Sequence, residues 1–227
     1  RIREIDPIPG YINALYKHVN KEKIRATNDL KVVIDTGAGA GNLTTPQILE
    51  GLGCEVTIIN DSLDENNEFP REIEPVEENL EELIMTMWKG KCDVGFAHDC
   101  DADRLAIVGD DFKCYREDMG LALIAEHYLQ KSAENAEKIV FVTNIASSLV
   151  FEALAEKYGA EVIRTPVGER YLAKEMITLI EKNEKQPFCS TIMGGEGSCG
   201  GIMVPDFNNA RDGIFAAAKL IEIMVET

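Results

Sequence analysis

The stretch AHDCDADRL carries Asp99, Asp101 and Asp103 at alternate positions, with Arg104 immediately after them. Like charges this close repel, so the triplet stays fully ionised only if a cation sits among the carboxylates. A flat strand would point the three side chains to one side, and a curved loop would make them converge. Either arrangement suits a hard cation with oxygen ligands. Three carboxylates, with no nitrogen or sulfur partner at ligand spacing, favour magnesium or manganese over zinc. His18, His98 and His127 share no catalytic or metal spacing, and His98 reads as a strand-end residue with a structural hydrogen bond.

Two other motifs share the D-x-D beginning. A calcium EF-hand needs Gly at the sixth loop position and Glu at the twelfth. Here those positions hold Arg104 and Asp110, and the flanks are strand-like. A haloacid-dehalogenase-like phosphatase also places D-x-D after an apolar strand, as Asp99-Cys100-Asp101 does, and Asp99 would then be the nucleophile. That pattern has Thr or Val where this chain has Asp103, and no downstream Lys and acidic pair stands at suitable spacing. A solvated acidic turn is the plain alternative, but D-x-D-x-D-R set directly between two apolar strands is a rarer pattern.

Four further stretches combine glycine with polar groups. In GGEGSCGG (194–201), Glu196 offers an acceptor and Ser198 a mixed donor and acceptor, the pair that a sugar's hydroxyls require. RTPVGERY (164–171) holds Thr165, Gly168 and Arg170; Arg170 could meet a phosphate or a sugar oxygen, or simply be solvated at a helix start. DTGAGAGN (35–42) sits where a dinucleotide fingerprint would, but Asn42 replaces its last glycine, and there is no Gly-Lys for a P-loop. It reads as a tight strand-to-helix turn. In Arg211-Asp212-Gly213, Asp212 reads first as a helix cap.

The elements that must position these residues alternate. KVVID (31–35), EVTIIN (55–60), DVGFAHD (93–99) and RLAIVGDD (104–111) read as strands, the last turned back by Gly109-Asp110. TTPQILEGLG (44–53) reads as a helix with Thr45 as a possible cap, Pro46 in its first turn, and Gly51 or Gly53 at its end. PVEENLEELIMTMWKG (75–90) shows helical spacing at Leu80, Leu83, Ile84 and Met87, and Trp88 with its neighbouring methionines fits a core face. The alternation then restarts. Helices are expected over 118–133, 147–159, 169–183 and 210–226, and strands over 138–143, 160–165 and 188–197. Gly159 should end the second of those helices. Two such rounds predict an α/β protein of two tandem, three-layer-like α/β domains, each a mixed sheet packed with helices, over residues 1–114 and 115–227.

Composition sets outer limits. The chain has 227 residues, 45% of them apolar, and a formal charge of −17. That balance argues against a broad nucleic-acid surface, which needs clustered Lys and Arg. No apolar run is long enough to span a membrane, and RIREIDPIPGY contains no signal core, so a cytoplasmic protein is expected. The six cysteines form no C-x-x-C pair and are expected to be reduced.

AHDCDADRLAIV resembles the D-G-D-x-D-R metal-binding loop of the α-D-phosphohexomutases, the family of phosphoglucomutase, phosphomannomutase and phosphoglucosamine mutase. Cys100 stands where that family usually has Gly. DTGAGAGN with Thr44-Thr45-Pro46 is similar to the family's D-x-x-x-G-x-G turn followed by T-T-P. GGEGSCGG resembles its sugar-recognition loop, G-E-x-S or G-E-x-N, with Cys199 a departure. RTPVGERY resembles T-x-V-G-D-x-Y, with Glu169 for Asp and Pro166 where Lys is frequent.

The resemblance implies that Asp99, Asp101 and Asp103 bind Mg2+ and that Arg104 is catalytic, beside a phosphoserine. It implies that Glu196, Ser198, Thr165, Gly168 and Arg170 bind a phosphorylated hexose. It runs from PIPGYI to KLIEIM and corresponds to the second and third of the family's four domains. The nucleophilic serine loop of the first domain and the phosphate clamp of the fourth have no counterpart here. The expectation is a fragment of an isomerase of carbohydrate metabolism, an intramolecular phosphotransferase, inactive alone and partnered by N- and C-terminal domains of the same polypeptide. The whole would interconvert hexose 1-phosphate and hexose 6-phosphate through a phosphoserine enzyme and a bisphosphorylated sugar. The alternatives are the Mg-dependent phosphatase above and a non-catalytic sugar-phosphate-binding module.

Overall fold

The computed structural model describes residues 4–27, 29–135, 137–189, 191–196 and 201–227. The chain forms two compact units. One comprises Arg1–Ala102, Ile107–Cys114 and Ala217–Thr227, and the other Asp103–Ala106 and Tyr115–Ala216. The division follows packing rather than a single point in the sequence.

In the first unit, helices α1 (Ile8–Leu15) and α2 (Lys21–Thr27) precede strand β1 (Lys31–Asp35). Helix α3 (Thr45–Gly51), strand β2 (Glu55–Ile59), helix α4 (Glu81–Gly90), and strands β3 (Val94–Ala97) and β4 (Ala106–Val108) follow. The sheet order is β2-β1-β3-β4. β1 pairs in parallel with both neighbours, Val33 lying opposite Thr57 on β2 and Gly95 on β3. Every residue of β1 after Lys31 is buried, as expected of a continuous apolar run covered on both faces. The chain turns back after β4 through a bond from Phe112 N to Gly109 O, and Val108 then bridges Cys114.

Two local readings are corrected here. Thr45 does not cap α3: it lies inside the first turn, and its Oγ1 is 3.0 Å from His98 Nε2. Thr44 takes the cap position without a capping side-chain bond. Trp88 is not a core residue but 60% exposed, and Met85 is exposed with it. Leu80, Leu83 and Met87 form the buried stripe at three- and four-residue spacing, which turns Met85 and Trp88 outward.

The second unit repeats the plan. Its elements are α5 (Glu117–Glu134), β5 (Ile139–Asn144), α6 (Val150–Tyr158), β6 (Glu161–Thr165), α7 (Glu169–Lys185), β7 (Thr191–Glu196), β8 (Gly201–Met203) and the first turn of α8 (Gly213–Glu226), whose residues from Ala217 on belong to the first unit. The order is β6-β5-β7-β8, with β5 parallel to β6 and β7, and β8 antiparallel to β7. Val140, Val142, Leu172, Met176 and Met203 make one core cluster, and Phe141 stacks on Phe151 at 4.8 Å between ring centres. Gly159 ends α6 in the left-handed conformation, as the sequence predicts. Asp212 caps α8, its Oδ1 accepting from Phe215 N at 2.8 Å.

In both sheets the first strand lies between the second and the third. The chain therefore leaves the first strand in opposite directions, and the crevice at the carboxyl ends of β1 and β3, or of β5 and β7, is a topological switch point.

Candidate functional site

At the first switch point, β3 delivers His98 and then the acidic loop. His98 is fully buried; its N–H donates to Asp35 O at 3.0 Å. The loop then tightens, with Ala102 N donating to Asp99 O at 3.3 Å and Ala102 in the left-handed region at φ 60°. The curve brings one oxygen each of Asp99, Asp101 and Asp103 within 4.8 Å of one another. Asp99 is buried, Asp103 half-buried and Asp101 exposed. Cys100, in the family's glycine position, is not among the left-handed residues, so its side chain meets no backbone penalty.

The glycine turn after β1 braces this loop. Ala40 N donates to Cys100 O at 2.8 Å, and a Cβ on Gly39 would stand 2.5 Å from that same oxygen. Glycine is required there by the close approach of two backbones, which supports the structural reading of DTGAGAGN.

Asp103 Oδ2 accepts from Arg211 Nη2. Its Oδ1 lies 3.6 Å from Arg104 Nε and has no hydrogen-bond partner among the described residues, though it is shielded from solvent. Clustered carboxylates with a buried, unsatisfied oxygen among them fit a hard divalent cation. The donor set contains only oxygen, which fits magnesium or manganese and not zinc.

At the second switch point, Glu196 ends β7 and is 6% exposed. Its Oε2 accepts from Asn144 Nδ2 at 2.8 Å and from Gly168 N at 2.9 Å. Gly168 has φ 128°, a conformation that other residues rarely adopt. Thr165 is buried at the end of β6, its Oγ1 donating to Pro166 O at 2.9 Å. The structure thus brings Glu196 and Gly168 into contact, with Thr165 close along the chain. Arg170 is exposed and folds onto its neighbour, Nη2 donating to Tyr171 OH at 2.6 Å. Ser198 lies outside the described residues.

Sequence reasoning missed the arginines that set these ends. Arg164 uses all five N–H groups. Nε and Nη2 grip Glu152 at 2.6 and 2.7 Å, Nη1 reaches Asn144 O and Ser147 O, and Nη2 also reaches Ser148 O. Those bonds hold Glu152 below the usual carboxylate range and raise Arg164 further. Arg211 joins Asp103 to Glu169, its Nε 3.3 Å from Glu169 Oε2. Arg71 pairs with Asp35 at 2.9 Å in a stretch without regular structure. Only Arg211 carried a signal, as part of Arg-Asp-Gly.

Comparison with known proteins adds to this geometry. Residues 9–112 match the family described as phosphoglucomutase/phosphomannomutase, alpha/beta/alpha domain II, and residues 116–227 match its domain III. A phosphoglucomutase/phosphomannomutase of Thermococcus kodakarensis is 36% identical over the whole chain, which spans 46% of that relative's length. The crystal structure of a phosphoglucomutase/phosphomannomutase family protein from Burkholderia thailandensis superposes with a TM-score of 0.77 at 23% identity. The match covers 99% of this chain and 45% of that one, and it establishes a shared fold.

Proposed function

Because the chain belongs to the phosphoglucomutase/phosphomannomutase family and holds its domains II and III, we propose that it carries the metal-binding and sugar-recognition parts of a phosphohexomutase. Asp99, Asp101 and Asp103 hold Mg2+, and Arg104 offsets the charge of a phosphoserine supplied by another domain. Glu196, Ser198, Thr165, Gly168 and Arg170 receive the hexose. The whole enzyme interconverts hexose 1-phosphate and hexose 6-phosphate by way of a phosphoserine and a bisphosphorylated sugar. The bound cation supplies Lewis-acid polarisation of the phosphoryl group.

The observation that carries this reading is the convergence of the three carboxylates within 4.8 Å at the end of β3. In the second unit, two donors fix Glu196 Oε2, so the carboxylate has one orientation, which suits a hydroxyl donor. The phosphatase alternative, with Asp99 as nucleophile, gains no support from the family matches, and Asp99 is 5% exposed. A cytoplasmic setting suits Cys54, Cys92, Cys100, Cys114 and Cys189, which form no disulfide among the described residues. No described helix is long and apolar enough to cross a membrane.

The test is 31P NMR of the purified chain with glucose 1-phosphate and glucose 1,6-bisphosphate in Mg2+. Binding without exchange between the 1- and 6-positions is expected. Turnover by this chain alone contradicts the assignment of the nucleophile to another domain, and release of phosphate from a generic ester favours the phosphatase. In the longer protein, Mg2+ binding without any exchange would leave a non-catalytic module.

A further inference from the structure

We propose that Arg71 is a positioning residue for the acidic loop: it pins the backbone from which Asp99 departs and so sets the affinity of the loop for a divalent cation. This rests on the metal reading above. Arg71 sits in the stretch 61–76, which has no helix or strand, yet its side chain is 9% exposed. Its guanidinium joins two strand ends. Nε donates to Asp35 Oδ2 at 2.9 Å, at the end of β1, and Nη2 donates to His98 O at 2.6 Å, just beyond the end of β3. Nη1 holds its own segment through Glu72 O and Ile73 O at 2.9 and 3.3 Å.

Asp35 is itself fixed. Its Oδ1 accepts from Gly37 N at 2.9 Å and its Oδ2 from Asn60 Nδ2 at 3.0 Å. The carbonyl that Arg71 holds belongs to the residue immediately before Asp99. Rotation of that peptide would swing the first carboxylate of the triplet, and the Arg71 bond opposes it.

Charge alone predicts the opposite sign. A guanidinium near a cation site repels the cation, so its removal would tighten binding. Positioning predicts that removal loosens binding. Lysine separates the two further, because it keeps the charge but cannot offer Arg's rigid fork to acceptors on two strands. Partners behind metal ligands typically govern affinity by roughly 10–100-fold.

The experiment titrates Mn2+ alone into the chain, following free Mn2+ by EPR, for the unchanged protein, Arg71→Lys and Arg71→Met. Circular dichroism and Trp88 fluorescence check that each is folded. We expect both variants to bind Mn2+ roughly tenfold or more weakly. Unchanged or tighter binding in folded Arg71→Lys overturns the inference, and that variant decides the matter if Arg71→Met does not fold. Saturable binding by the unchanged protein with no change in the variants defeats this proposal alone. No saturable binding by the unchanged protein defeats the metal reading and this inference with it.

Discussion

The two switch points are built on one plan and given opposite chemistry. Asp35 and Asn144 both end the central strand of their sheets. Each accepts the N–H of the residue two positions on, Gly37 or Ala146, at 2.9 and 2.8 Å. In the first unit that residue is a carboxylate answered by Arg71, and the next strand over leads into three carboxylates. In the second it is an amide that donates to one buried carboxylate, Glu196. The scaffold fixes where a site stands. The strand-end side chain differs with its surroundings: a carboxylate paired with Arg71 in the first unit, an amide bonded to Glu196 in the second.

Exchanging those two residues breaks the comparison most severely. Asp35→Asn leaves Arg71 buried beside a neutral amide and should cost about 3–5 kcal/mol. Urea unfolding followed by Trp88, the sole tryptophan and part of α4, reports it. Asn144→Asp removes the donor to Glu196 and sets a second carboxylate against it, at about 2–4 kcal/mol. Thermal unfolding by circular dichroism measures that loss, and equal stability in the exchanged proteins would show that the two ends do not depend on their charge.

A smaller effect sharpens the contrast in how the second unit is locked. Glu152 has its folded pKa lowered by Arg164. A lowered carboxylate contributes stability above its unfolded pKa and loses it as pH falls through the folded one. Stability should therefore decline on the acid side of the usual carboxylate range, and Glu152→Gln should flatten that decline in a pH series of melting temperatures. The smallest change is expected at Cys100→Ala, within about 0.5 kcal/mol, because that position needs no special backbone. Its melting temperature and Mn2+ affinity should match the unchanged protein.

How far the sequence could be read follows from the range of each interaction. β1, β3 and β5 are short, mostly apolar runs, β7 leads into a glycine-rich stretch, and the acidic triplet lies within five residues, so local pattern sufficed. β8 has three residues, the first of them the last glycine of GGEGSCGG, and α1 begins in Pro-Ile-Pro-Gly, which reads as linker. Thr45 was open to a capping role until tertiary structure brought His98 to its hydroxyl. The bonds from Arg71 to Asp35 and from Arg164 to Asn144 span 36 and 20 residues. Nothing local marks such partners, although they hold the backbone at both sites.

The central claim is that the loop after β3 is a divalent-cation site. Calorimetric titration of Mg2+ into the chain and into Asp101→Asn measures it directly. One saturable site in the unchanged protein, lost or greatly weakened in the variant while the melting temperature holds, is the predicted result. Heats that never saturate, or saturable binding that Asp101→Asn leaves intact, would contradict it.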